Sequence, residues 1–283
     1  MTALSPITLA LLALLAFVLG ACIASFVNCA SLRRQSGESV LKGRSHCPAC
    51  GQVLGAGELV PIASWFALGK KCKHCGKPIS GRYPATEAIL GLAYAAAVLV
   101  HLGSIDPWAG LPGAVLAVCE SFILYALLLY VSLVDIDTRT VPFACIVAML
   151  VVHLAYIVIA RPVLGIAEWW PLLRTSLIGG FGLLVPLAII VLIADKAFGR
   201  ESMGGGDLML FFVGGFCFGW ERGLFLVLFA CIFGIIGALL TQRSHEDESL
   251  RKREIPFVPS IALACVITDL FGSAFVGLYL GLF

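Results

Sequence analysis

Long apolar runs alternate with short polar breaks along the whole of this 283-residue chain. Eight runs predict helices, at 7–31, 84–102, 112–134, 141–160, 173–194, 207–220, 222–241 and 258–281. Most approach the roughly 20 residues that an α-helix needs to cross a hydrocarbon layer of roughly 30 Å. Pro, Gly or clustered charge separates them, as at Pro84, Pro142 and Pro259, which suits helix ends. The run at 207–220 is the shortest and is rich in Gly and Phe. The polar stretch 32–83 interrupts the pattern and predicts a small insertion. The charged loop Gln242 to Glu254, mixed in sign, predicts a mobile connection.

Composition agrees with the pattern. The chain is 60% hydrophobic and only 13% charged, whereas soluble domains hold about 45–50% apolar and about 25% charged residues. The predicted fold class is an all-α polytopic membrane protein with about eight transmembrane helices, its direct environment a lipid bilayer. The expected division is 1–31, a first membrane helix; 32–83, a cytoplasmic four-cysteine module; and 84–283, a transmembrane domain.

Of the 19 Lys and Arg residues, all but Arg161, Arg174 and Arg222 fall in one set of loops. The positive-inside bias assigns that set to the cytoplasm and turns both termini outward. The box Leu19-Gly20-Ala21-Cys22 resembles a lipoprotein cleavage site. However, the basic residues follow the first run instead of preceding it, the reverse of a secretory signal, so the run is read as a retained span. The same bias accounts for the basic loops without a nucleic-acid partner, and none is expected.

Cys47-Pro48-Ala49-Cys50-Gly51 and Cys72-Lys73-His74-Cys75-Gly76 form two CxxC knuckles. A Gly after each pair permits the tight turn that aims two sulfurs at one point. Cys47, Cys50, Cys72 and Cys75 therefore predict a structural Zn2+ site, a staple for a segment with too few large apolar side chains to build its own core. Disulfide pairing is the competing reading, and a cytoplasmic location disfavours it. The other seven cysteines lie in apolar segments and are read as small buried hydrophobes.

Two acidic sites stand at the margins of apolar runs: Val134-Asp135-Ile136-Asp137 and Gly204-Gly205-Gly206-Asp207. A carboxylate beside hydrocarbon costs several kcal/mol unless a partner or a wet cleft receives it. The predicted orientation puts both sites at the cytoplasmic surface. Brought together, two such carboxyls share one proton, so the ionised one takes a proton from water while the other polarises a carbonyl. Asp135 and Asp137, two apart on a helix, point about 200° from each other, so at most one faces a given cleft. The blander reading makes these residues solvated helix caps, and a transporter's cation or proton relay is the non-enzymatic alternative. Glu120, His153 and Asp269, inside apolar runs, are read as packing residues.

The ordered motifs resemble the bacterial type IV prepilin peptidases, also called leader peptidase/N-methyltransferases, GxGD intramembrane aspartic proteases. Ala24-Ser25-Phe26-Val27-Asn28 leads to Arg33-Arg34, and Ser45-His46 opens the first knuckle. Pro61-Ile62-Ala63-Ser64-Trp65 lies between the knuckles. Ile79-Ser80-Gly81-Arg82-Tyr83-Pro84 with Glu87 resembles the entry to the family's second span. Asp135 with Pro142, Gly204-Gly205-Gly206-Asp207, and Ile255-Pro256-Phe257 with Pro259 complete the series. The resemblance implies Asp135 and Asp207 as the catalytic pair, in preference to Asp137. It implies as partners type IV prepilin or pseudopilin precursors, with a basic leader cut at the face of the bacterial cytoplasmic (inner) membrane. It also implies N-methylation with S-adenosylmethionine, for which Asn28, Arg34 and Glu87 are contributors by position; peptidase activity without methyl transfer is the alternative. Phe143 and Met209 depart from the family, whose members carry a polar residue and a Lys there.

Overall fold

The computed structural model describes residues 4–40, 43–103, 110–165, 168–244 and 256–281. It is helical: α1 Pro6–Ser36, a short α2 Ala63–Ala67, α3 Arg82–Gly103, α4 Gly110–Thr138, α5 Phe143–Val163, α6 Trp170–Phe198, α7 Gly205–Ser244 and α8 Val258–Leu280. Among the described residues there is no strand, only isolated bridges from His46 to Val53 and from Lys71 to Pro78. Most of the expected mobile loop at 242–254 lies outside the described residues.

Among the described residues, seven helices are long and apolar enough to cross a membrane, against the eight spans expected. The difference lies in α7, where the runs at 207–220 and 222–241 join without a loop. Gly219 breaks the helix there, with φ 77° and ψ 170°, a conformation essentially confined to glycine. A β-carbon placed on Gly214 would lie 2.5 Å from Leu226 Cδ1. In a straight helix these residues stand about 18 Å apart, so the second arm of α7 folds back on the first. Arg222 Nε donates to Phe218 O at 2.9 Å, satisfying a carbonyl at the break, as an apolar surrounding requires.

Internal packing divides the chain into two compact units, Met1–Ser104 and Ile105–Phe283. In the first, α1 packs on α3 with backbones close together: a β-carbon on Gly20 would meet Leu90 O at 2.7 Å. α1 outruns the predicted span and carries Arg33 and Arg34 in its last turn. In the second, α7 packs against α6 and α8, and α4 against α5 and α8. Outward faces are apolar: Leu11, Leu15, Ile189, Ile190 and Leu192 are all exposed. Water would penalise such a surface, and lipid accommodates it.

Candidate active site

Asp135 belongs to the last turn of α4 and does not follow it. The Arg139 N–H donates to Asp135 O at 2.9 Å, and Thr138 Oγ1 donates to Val134 O at 2.8 Å. Arg139 then takes φ 56°, a left-handed cap that stops the helix. The structure buries Asp135 and exposes Asp137, as their opposed directions on one helix require. Oδ2 of Asp135 is buried and makes no hydrogen bond among the described residues. The backbone amide of Val258, at the start of α8, faces the same carboxyl.

Asp207 sits in the first turn of α7, where the helix N-terminus favours an acidic side chain. The Asp207 and Leu208 N–H groups donate to Gly204 O at 3.1 and 3.4 Å. The loop before it is tethered to α6. The Ser202 N–H donates to Asp195 Oδ1 at 2.6 Å, and the Ser202 hydroxyl hydrogen-bonds the same oxygen. Gly206 lets this loop meet the turn after α4: a β-carbon there would stand 2.7 Å from Val141 Cβ. Asp135 and Asp207 are therefore delivered to one place, and the charge of Asp135 acts directly on Asp207. The C-terminus of α4 and the N-termini of α7 and α8 converge there. Phe143 and Met209, the two departing positions, are both exposed.

In the first unit the four sulfurs of Cys47, Cys50, Cys72 and Cys75 lie within 4.8 Å of one another. The knuckles are built alike. Cys47 N–H donates to Gln52 O at 2.9 Å and Cys72 N–H to Lys77 O at 2.8 Å, while Gly51 and Gly76 take φ 71° and 70°. The Ala49 backbone N–H foremost lowers the Cys47 thiol to about 7. The Gln52 N–H favours the Cys50 thiolate, but desolvation and the neighbouring Cys47 and Cys75 outweigh it and push Cys50 up to about 11. Four sulfurs around one tetrahedral ion stand roughly 3.8 Å apart, so this donor set fits a bound metal ion. Glu58 braces the second knuckle, its carboxylate 3.3 Å from His74 Nε2. The Gly55 N–H, and then His74, hold its pKa below the usual carboxylate value.

The residues that sequence position attached to a cofactor divide, with Asn28 and Glu87 buried and Arg34 exposed. Asn28 is buried and bonds Ala24 O at 3.2 Å and the Thr86 hydroxyl, while its Oδ1 has no partner among the described residues. Glu87 is buried and accepts from the Ile62 N–H at 2.7 Å. Arg34 is exposed, whereas its neighbour Arg33 is buried and reaches the carbonyls of Val40 and Arg44 at 3.2 Å. A groove of about 380 Å³ opens beside these groups, lined by Ser25, Cys29, Arg33, Ser45, Leu59 and Pro61.

The sequence reading missed the polar partnerships within the second unit. Asp269 accepts from Ser121 Oγ and Tyr125 Oη, each at 2.6 Å. His153 pairs with Glu120 at 2.6 Å and with Ser176 at 3.0 Å. The available signal was Ser121 and Tyr125, one helical turn apart, beside Glu120 in an apolar span.

Residues 18–101 match the Bacterial Peptidase A24 N-terminal domain, and residues 122–239 match the Type IV leader peptidase family. The chain is 30% identical over 269 residues to the prepilin leader peptidase/N-methyltransferase of Bacillus subtilis, covering 93% of this chain and 96% of that protein. The chain belongs to the type IV leader peptidase family. Relatives of the same name in this family are 32% identical in Myxococcus xanthus, over 81% of this chain and 63% of that protein, and 33% identical in Burkholderia pseudomallei, over 82% and 68%. No solved structure matches the chain.

Proposed function

We propose that this chain removes the basic leader of type IV prepilin or pseudopilin precursors with Asp135 and Asp207, and then methylates the new N-terminal amine. The observation that carries the reading is the convergence of these two carboxyls from α4 and α7, with one buried oxygen of Asp135 left without a hydrogen bond. A buried polar atom without a partner is costly, and a catalytic role is one physical reason to keep it. The names of the relatives support the substrate and both activities.

One carboxyl is ionised and takes a proton from water; the other is protonated and hydrogen-bonds the scissile carbonyl oxygen. The resulting hydroxide adds to the carbonyl carbon while the protonated carboxyl gives its proton to the carbonyl oxygen, giving a tetrahedral diol. In breakdown the carboxyl that took the water's proton gives it to the leaving amine, and the other regains a proton from a diol hydroxyl, which restores one shared proton. The site lies at the cytoplasmic face of the inner membrane, with both termini outward, the orientation favoured by the distribution of Lys and Arg.

Cys47, Cys50, Cys72 and Cys75 hold a structural Zn2+, which fits their geometry and the small apolar content of their module. S-adenosylmethionine, when bound, supplies an electrophilic methyl group. The groove beside Ser25 and Arg33 has a volume within the usual range for a small-molecule site, and Glu87 fixes its Pro61–Ile62 wall.

The test incubates purified protein with a full-length precursor, with and without S-adenosylmethionine, and weighs the products. Cleavage at the leader boundary plus a methyl mass only with the cofactor is expected. Cleavage without the added mass removes the methyltransferase half, and an uncut precursor removes the whole reading.

A further inference from the structure

Glu120 from α4, His153 from α5 and Cys217 from the first arm of α7 bring a carboxylate oxygen, an imidazole nitrogen and a sulfur within 4.8 Å of one another. Glu120 lies 15 residues before Asp135, about 22 Å along α4, so this cluster is separate from the paired aspartates. The helices bearing it are apolar enough to cross a membrane. Ionisable groups at such depth are costly and mark function.

We infer that these three side chains form a second metal site, for a zinc-class divalent cation. Three observations support the assignment. The first is the donor set, which combines imidazole, carboxylate and thiolate, all ligands of Zn2+. The second is the outer partner of the histidine. Ser176 Oγ lies 3.0 Å from His153 Nε2 and also 3.3 Å from Leu172 O. With Ser176 donating to Leu172 O, Nε2–H donates to Ser176 Oγ, and Nδ1, 2.6 Å from Glu120 Oε1, shares one proton with that carboxyl and turns its lone pair to the ion when the proton leaves. Metal-bound histidines are oriented by such a bond at their other nitrogen. The third is unused capacity. Among the described residues, Glu120 bonds only His153, through Oε1, and Cys217 makes no hydrogen bond.

Charge balance favours the same conclusion. A dication, the Glu120 carboxylate, the Cys217 thiolate and a neutral His153 sum to zero, which lowers the cost of placing the ion among apolar helices. Binding releases the Cys217 proton, and any proton shared by Glu120 and His153, to solvent. The ion would clamp α4, α5 and α7 together. Three protein ligands leave a fourth position for water.

The test uses the full chain with Cys47→Ser and Cys72→Ser, which disables the four-cysteine site. This protein, loaded with Co2+ and desalted, should retain one ion per chain with a thiolate-to-cobalt charge-transfer band. Adding Cys217→Ser should abolish the band, and adding His153→Gln should release the ion. Should the double variant fail to fold, zinc is counted in the otherwise native chain: two per chain, falling to one with Cys217→Ser. Absence of bound ion in the double variant, a band indifferent to Cys217, or a native count of one unchanged by Cys217→Ser would overturn the assignment. Leader cleavage is not the readout, so failure here leaves the peptidase reading intact.

Discussion

Val141 rests on Gly206: a β-carbon at Gly206 would stand 2.7 Å from both Cβ and Cγ2 of Val141. This contact joins the turn after Asp135 to the first turn of α7, which carries Asp207. Gly206→Ala should push the turns apart. A displacement of about 1 Å can cost about 100-fold in rate, so leader cleavage should fall by that order. Metal content and helicity should remain. Val141→Gly, which removes the Cβ that the new methyl meets, should restore much of the loss in the Gly206→Ala background, as kinetics of precursor cleavage would show.

Gly219 should tolerate no side chain. Its β-carbon would meet only Thr175 Cγ2, at 3.6 Å, so space is available and the conformation is the obstacle. Gly219→Ala should destabilise the protein by about 1–3 kcal/mol. Reversible unfolding in mixed micelles measures this directly.

The four-cysteine module should bind zinc more weakly as the pH falls. Cys47, lowered to about 7, ionises near neutrality, and Cys50, pushed up to about 11, remains protonated there without metal. Protons therefore compete with zinc for Cys50 throughout the neutral range, and below about 7 they compete for Cys47 too. At pH 8, zinc added to stripped protein should release fewer protons than the module has thiols, because Cys47 is already largely ionised. Proton release in weak buffer, with zinc affinity at several pH values, checks the sign.

Glu87→Ala should separate the two activities. Its carboxylate holds the N–H of Ile62, a β-branched residue at φ 62°, where about 1–2 kcal/mol of strain is expected. Releasing Ile62 should alter the groove and lower methylation by about 10-fold or more, corresponding to roughly 1.4 kcal/mol of lost binding. Cleavage should change much less. Mass analysis of both products distinguishes these effects.

Helices, their apolar faces and the sulfur knuckles were legible because each depends on neighbours close in sequence. So was the exclusion of joint use of Asp135 and Asp137, since a 200° separation leaves only one side chain inward; the choice of Asp135 rested on the resemblance. The fold-back at Gly219 was not legible as such: the two flanking runs were visible, but their direct joining depends on contacts such as Leu226 on Gly214. The partners of Asp269 and His153 were equally hidden. Ser121, Tyr125 and Glu120 are far from them in sequence, and only helix packing brings these groups together.

The most direct measurement is single-turnover leader cleavage by Asp135→Asn, Asp207→Asn and Asp137→Asn proteins of equal folded content. The account predicts loss of detectable cleavage in the first two and near-native rates in the third. Native cleavage by either of the first two would contradict it.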